Sequence, residues 1–276
     1  MLKDIVVHID RLPECTERLK VAIRLAQAHG AHLTGSYAIP RSRIPNYLEV
    51  QIPKEILDQA AAARLEDAIA ARENFEKACR ADDVACEWRQ AEGPTVETLA
   101  LNARYADLAI VGQRNPDSED FEVDEMPDRF ILAAGRPALV VPYAGSFAEI
   151  GRTVVVAWDA SRLATRAVND ALPILRKAAK VYLLAINPVG GREGHGTVPC
   201  ADIGLHLARH GVKAEASSIH VDDLDIGDAL LSRAADFGAD LIVMGAYGHS
   251  RWRELVLGGV TRHLLDHMTA PVFMSH

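Results

Sequence analysis

Along this chain, short runs of consecutive apolar residues alternate with longer stretches in which apolar positions recur every three to four residues, and the whole pattern occurs twice. Lys3-Asp4-Ile5-Val6-Val7-His8-Ile9-Asp10 has no polar face in its middle and reads as a strand buried on both sides. Leu19 to Ala28 has helical spacing, and Leu33 to Ile39 is again strand-like, which makes a βαβ unit. The second half repeats this order. Arg152-Thr153-Val154-Val155-Val156-Ala157-Trp158-Asp159, also ended by an aspartate, is followed by a helical stretch from Ala164 to Ala178 and a second strand from Val181 to Ile186.

The correspondence continues downstream. Ala106-Asp107-Leu108-Ala109-Ile110-Val111-Gly112 answers to Ala239-Asp240-Leu241-Ile242-Val243-Met244-Gly245, and Arg136 to Pro142 answers to Ala270 to Ser275. Strands and helices in alternation, with the strands continuously apolar, predict parallel sheets covered on both faces and joined by right-handed crossovers. Each half is therefore expected to be a doubly wound α/β domain. The boundary falls near Tyr143-Ala144-Gly145-Ser146-Phe147, giving domains at 1–146 and 147–276. That segment is too short for a flexible linker, so the domains are expected to pack together. The first half is longer where Pro45 to Ala81 intervenes, with Glu55 to Ala78 an alanine-rich crossover helix by propensity. The matching region of the second half is a loop, Asn187 to Gly196, and a shorter helix from Ala201 to His210.

Composition narrows the class. The chain has 276 residues, 49% apolar and 25% charged, with no stretch of eighteen apolar residues, so a soluble globular protein without a membrane span is expected. The N-terminus enters a strand without an apolar leader, and Cys15, Cys79, Cys86 and Cys200 show no CxxC or disulfide-like spacing. Both features predict a cytoplasmic protein with reduced thiols and no structural zinc site. A net charge of -8 without a long Lys/Arg cluster argues against nucleic acid as a partner.

The chemistry lies near the end. Ala239 to Met244 runs into Gly245 and Gly248, then Gly258-Gly259 and Val260-Thr261, in the spacing G-x2-G-x9-G. Strand, glycine-rich loop and helix together offer backbone amides and a helix N-terminus to an anion. No Gly-Lys-[Ser/Thr] follows, and no G-x-G-x-x-G is present, so neither a P-loop nor a dinucleotide fingerprint fits. With the closing strand Pro271 to Ser275, this loop resembles that of the universal stress protein family in its ATP-binding branch.

The resemblance implies five-stranded sheets of order 3-2-1-4-5, related by a pseudo-twofold through their final strands. In open α/β sheets ligands sit where strand order reverses, here between the first and fourth strands of a half. It also implies a ligand: ATP, or AMP or ADP, with Mg2+ accompanying the nucleotide. Carried over residue by residue, Ala157, Trp158 and Asp159 would lie beside the nucleoside, with Asp159 accepting from ribose hydroxyls. Ile186 and Met244 would flank adenine. Gly245, Ala246, Tyr247 and Gly248 would wrap the ribose and first phosphate, and Gly258, Gly259, Val260 and Thr261 would cradle the remaining phosphates. The family usually has Ser or Thr where this chain has Gly259, and losing that hydroxyl contact, worth about 1.5 to 3 kcal/mol, would weaken ATP roughly ten- to a hundredfold.

The first half departs much further. After Gly112 come Gln113-Arg114-Asn115-Pro116 and then seven acids between Asp117 and Asp128, with Asp124-Glu125 where the other half has Gly258-Gly259 and Pro127 in place of Thr261. Carboxylates there would repel phosphate, so one working site is expected, in the second domain. The acids match no EF-hand spacing, and a solvated loop accounts for them.

Other residues have plain readings. His206 with His210, and His263 with His267, stand four apart on helices but lack the HExxH glutamate, so they read as surface histidines. Ser161 and His249 have no nucleophile-elbow context, Cys200 has no sign of activation, and Trp158 and Tyr247 could stack on adenine or simply pack. Arg251 and Arg253 could meet phosphate or solvent equally. Three functions stay open: a nucleotide-binding stress-response module with at most slow ATP hydrolysis; an adenylating enzyme, for which neither HIGH nor SGGxDS is present; and a scaffold with a relic loop. Protein partners are unknown, and both a monomeric intramolecular pseudo-dimer and a further homodimer are compatible with the fused repeat.

Overall fold

A computed structural model of the chain describes residues 1–39, 51–117, 126–189, 197–248 and 259–276. The first half runs β1 (Asp4–Ile9), α1 (Cys15–His29), β2 (His32–Ile39), α2 (Lys54–Ala81), β3 (Cys86–Glu92), α3 (Thr95–Ala103), β4 (Leu108–Gly112), α4 (Asp128–Ala134) and β5 (Ala138–Val141). The second runs β6 (Thr153–Ala157), α5 (Arg162–Leu175), β7 (Lys180–Ile186), α6 (Ala201–Arg209), β8 (Ala214–Ile219), α7 (Ile226–Asp236), β9 (Leu241–Gly245), α8 (Gly259–His267) and β10 (Val272–Ser275).

These strands form a single ten-stranded sheet in the order β3-β2-β1-β4-β5-β10-β9-β6-β7-β8. Counted from its own first strand, each half has the order 3-2-1-4-5, as the resemblance implies. Among the described residues, pairing within each half is parallel and only β5 and β10 run antiparallel, with Leu139 opposite Phe273 at the centre of the molecule. A pseudo-twofold between the halves requires that reversal, because two copies facing each other across their last strands must run in opposite directions.

Strand side chains alternate between two cores. Ile5, Val7, Val154 and Val156 face one side, where α1, α2, α5 and α6 pack; Val6, Val111, Val155 and Ile242 face the other, against α3, α4, α7 and α8. Both cores run through both halves, so the molecule is one three-layer sandwich. Phe273 is fully buried at the junction, and burying such a side chain stabilises by about 1.5 to 3 kcal/mol.

The Ala-Asp-Leu repeat has a structural cause. Asp107 accepts the amides of Lys3 and Asp4 at 2.6 and 3.2 Å, and Asp240 accepts those of Gly151, Arg152 and Thr153 at 2.6 to 3.1 Å. In each half this carboxylate pins the start of the fourth strand to the start of the first. The long helix expected over Glu55 to Ala78 is α2, which runs one residue further at its start and three further at its end, with Ala68, Phe75 and Cys79 as its buried residues.

Candidate functional site

Strands β6 and β9 are neighbours, paired at Val156 and Val243, but the helices that follow them diverge. Helix α5 packs on one face of the sheet and α8 on the other, which opens a crevice at the carboxyl ends of the two strands. A cavity of about 520 Å³ fills it, within the usual range for small-molecule sites.

Of the residues expected there, Ala157, Trp158, Asp159, Ile186, Met244, Gly245, Gly248, Gly259, Val260 and Thr261 line the cavity. Gly258 lies outside the described residues, as do His249, Arg251 and Arg253. Ala246 and Tyr247 are placed differently. Ala246 is fully buried and its amide is taken by the Ser275 carbonyl at 2.9 Å. Tyr247 has a left-handed backbone (φ +60°), and its amide donates to the Thr261 hydroxyl at 3.0 Å. These two amides are engaged within the protein; of this region, the described residues that line the cavity are Gly245, Gly248 and, in the first turn of α8, Gly259, Val260 and Thr261.

The glycines have different physical reasons. A Cβ on Gly245 would come within 2.6 Å of the Ala164 nitrogen and the Leu163 carbonyl carbon, so the backbone of α5 crosses the end of β9 too closely for any side chain. Gly259, at the start of α8, has nothing within 4 Å of such a Cβ among the described residues. The first is a packing glycine and the second leaves room at the mouth of the cavity.

The walls also include residues that motif reasoning passed over. Leu184, Ile226 and Leu230 add apolar surface, the last two from one face of α7 at positions four apart. Asn187 lines the cavity from the end of β7; its backbone is left-handed (φ +49°), and its side chain clasps Val221, donating to the carbonyl at 3.0 Å and accepting from the amide at 2.8 Å. Ser161 caps α5 by accepting the Ala164 amide at 3.1 Å, and Asp159 at the rim accepts the Ser161 amide at 2.9 Å. The arrangement is an apolar slot bounded by a carboxylate at one edge and by a helix N-terminus at the other. Such a slot suits a flat heteroaromatic group joined to a polyanion.

The equivalent crevice of the first half is filled by the protein. Arg18 is 3% exposed; its Nε donates to the His8 carbonyl at 2.8 Å and its Nη2 to Asp10 at 2.6 Å. A Cβ on Gly112, the counterpart of Gly245, would stand 2.3 Å from the Arg18 guanidinium. Burial pushes the Asp10 carboxyl up, but Arg18 and then His8 outweigh it and hold it below the usual carboxylate range. Burial pushes the His8 imidazole down to about 4, against an opposing pull from Asp10. Of the acidic segment, Asp117 and Asp128 are described, whereas Asp124 and Glu125 are not.

A second cavity, about 580 Å³, lies where α1 meets the segment between the halves. Its size exceeds that of the first, yet its basic groups are engaged: Arg24 donates to the Phe147 carbonyl, Lys177 to the Ala28 carbonyl, and Arg152 pairs with Glu149. It has no glycine loop, and the first cavity is the better site on chemical grounds. Among the described residues, no helix is long and apolar enough to cross a membrane.

Comparison with known proteins agrees with this architecture. The family model described as the universal stress protein family matches residues 1–141 and again residues 151–276. The curated universal stress protein Slr1230 of Synechocystis sp. (strain ATCC 27184 / PCC 6803 / Kazusa) is 28% identical over an alignment of 177 residues that covers 60% of this chain and 56% of that protein. The chain thus spans a little over half the length of that relative. A universal stress protein from Archaeoglobus fulgidus DSM 4304 superposes with a TM-score of 0.77 at 14% identity, covering 99% of this chain and 95% of its own. A functionally unknown protein from Pseudomonas aeruginosa PAO1 gives a TM-score of 0.61 at 14% identity, covering 99% and 92%. Both likenesses concern the fold.

Proposed function

The chain belongs to the universal stress protein family, and from that premise we propose that its second half binds an adenine nucleotide as a regulatory module with one working site. The observation that carries this reading is the 520 Å³ cavity at the β6–β9 crevice, apolar at its base and edged by Asp159 and by the first turn of α8. Adenine would lie between Ile186 and Met244, the ribose hydroxyls would donate to Asp159, and the phosphates would meet the start of α8 at Gly259, Val260 and Thr261. Magnesium would travel with the triphosphate. ADP and AMP are lesser ligands in this reading, since they offer the helix terminus less charge.

The first half is proposed to be the partner that does not bind. Arg18 occupies the place a nucleoside would take, and the ion pair with Asp10 would have to break before anything could enter. The domains are assigned to 1–146 and 147–276, with the first as a structural counterpart of the second.

Binding acts by linkage: a ligand at 100 times its Kd stabilises the occupied fold by about 2.7 kcal/mol. That ligand energy falls on β6, β9, α7 and α8, and a partner protein could read the change. The four cysteines are free, as a reducing cytoplasm would keep them.

Isothermal titration of the full chain with Mg-ATP, ADP and AMP tests the reading. One nucleotide per chain with ATP bound most tightly is expected. No heat and no thermal shift at millimolar ATP would overturn it in favour of a scaffold with a relic loop.

A further inference from the structure

Outside the cavity, one group of side chains converges from two helices in a way that neither the fold nor the nucleotide reading uses. Asp225 caps the N-terminus of α7, Asp228 lies three residues on, and His263 projects from α8 towards both. The His263 Nε2 is 2.8 Å from an Asp228 carboxylate oxygen, and its Nδ1 is 4.0 Å from one of Asp225. One donor atom from each of the three lies within 4.8 Å of the other two.

The backbone is shaped for this approach. A Cβ on Gly227 would come within 2.6 Å of the His263 ring, so only glycine lets the imidazole lie against the first turn of α7. Capping fixes Asp225 as well, since its Oδ1 accepts the Gly227 amide at 2.7 Å and leaves the other carboxylate oxygen for a ligand. The cap and third helical positions bring both carboxylates to one end of α7 by helix geometry alone. His263 stacks on His267 with ring centroids 4.4 Å apart, and the His267 Nδ1 is 2.9 Å from the His263 carbonyl.

We infer that Asp225, Asp228 and His263 form a binding site for a divalent transition-metal ion of the zinc type, joining α7 to α8. The His263 Nε2 faces Asp228 and its Nδ1 faces Asp225, so two carboxylates share one imidazole. A cation serves both carboxylates and the nitrogen together. Metal–oxygen and metal–nitrogen bonds of about 2.0 to 2.2 Å put tetrahedral ligand atoms about 3.4 Å apart, and one donor atom from each of the three residues already lies within 4.8 Å of the other two. Side-chain movements of about an ångström would close the site. The N-terminal dipole of α7 opposes a cation with about half a positive charge, against two full carboxylate charges in its favour. An imidazole in the donor set selects zinc-like ions over magnesium or calcium, and three protein ligands leave a fourth position for water.

The inference is independent of nucleotide, because Ile226 and Leu230 of α7 face the cavity whereas Asp225 and Asp228 are exposed on the outer side. The test is titration of the full, EDTA-stripped chain with zinc chloride alone, by calorimetry and by unfolding midpoint. One zinc per chain, with a concentration-dependent rise in midpoint, is expected. Asp225→Asn keeps a capping oxygen and Asp228→Asn keeps an acceptor for His263, so both should fold as the wild type without metal, yet each should lower zinc affinity about 100-fold or more. His267→Ala should leave affinity within a few fold. The inference is overturned if the wild type takes up no zinc at one equivalent, if both asparagine variants bind like the wild type, or if His267→Ala alone abolishes binding and so reveals a simple pair of helix-surface histidines.

Discussion

The phenol of Tyr247 crosses from the second half to the first and donates a 2.9 Å hydrogen bond to the Asp128 carboxylate at the start of α4. The same residue gives its amide to Thr261 at the edge of the cavity, so one side chain ties the candidate site to the neighbouring half. Burial, and then the nearby Asp128 charge, push the Tyr247 hydroxyl well above its ordinary range, which keeps it a donor at any physiological pH. Tyr247→Phe is expected to cost about 1 to 2 kcal/mol in urea unfolding, because Asp128 is half-buried and loses a donor to its charge. A double-mutant cycle with Asp128→Asn should give a coupling energy of similar size; additive effects would mean that the bond contributes nothing.

Gly259 lines the cavity, and among the described residues nothing lies within 4 Å of a Cβ placed there. Gly259→Ser meets no obstacle among the described residues, so on the proposed nucleotide reading it should add a charge-assisted contact to phosphate and tighten ATP about ten- to a hundredfold in calorimetry. AMP, whose single phosphate lies nearer the ribose, should gain little. Equal affinity for ATP before and after the change would place the terminal phosphates elsewhere.

Arg18 and Asp10 are a buried pair, and removing one partner strands the other. Arg18→Met is expected to lower stability by about 3 to 5 kcal/mol, read from the denaturant midpoint, whereas Arg18→Met with Asp10→Leu should recover most of the loss. If the single and double variants are equally destabilised, the charge is not the cause and the guanidinium acts by packing.

His8 is buried and neutral, with its pKa held at about 4 against an ordinary 6.5. A depressed histidine contributes stability that is complete above its unfolded value and is lost as pH falls from 6.5 to about 4, by on the order of 3 kcal/mol. His29, also lowered to about 4 by burial and then by Lys177 and the N-terminal amine, adds to the same acid limb. Unfolding free energy measured between pH 7 and pH 4 should fall steeply, and His8→Gln should flatten part of that slope. An unchanged slope would mean that His8 is not neutral in the folded protein.

Much of the fold is legible in the apolar pattern. The runs at Ile5, Leu108, Val154 and Leu241 are buried on both faces, and a strand with no polar side has few alternatives. The edge strands β3 and β8 are not marked in this way: Arg89, Gln90 and Glu92 are exposed, as are Glu215 and Ala216, because an edge strand is only half covered and tolerates polar residues. Helix α7 likewise has no motif of its own, although Ile226 and Leu230 form part of the cavity wall.

Sequence by itself determined the doubled βαβ order, the glycine spacing and the acids that replace it in the first half, because these depend on residue type and local periodicity. Tertiary structure alone decided what those residues face. It set Arg18 into one crevice and left the other open, turned Tyr247 and Ala246 away from the cavity, and brought His263 of α8 beside Asp225 and Asp228 at the start of α7. Such outcomes follow from which helix crosses which strand end and at what distance, as where α5 passes within 2.6 Å of a Gly245 Cβ. Contacts between residues far apart in the chain are fixed only once every layer has packed, and no local pattern carries that information.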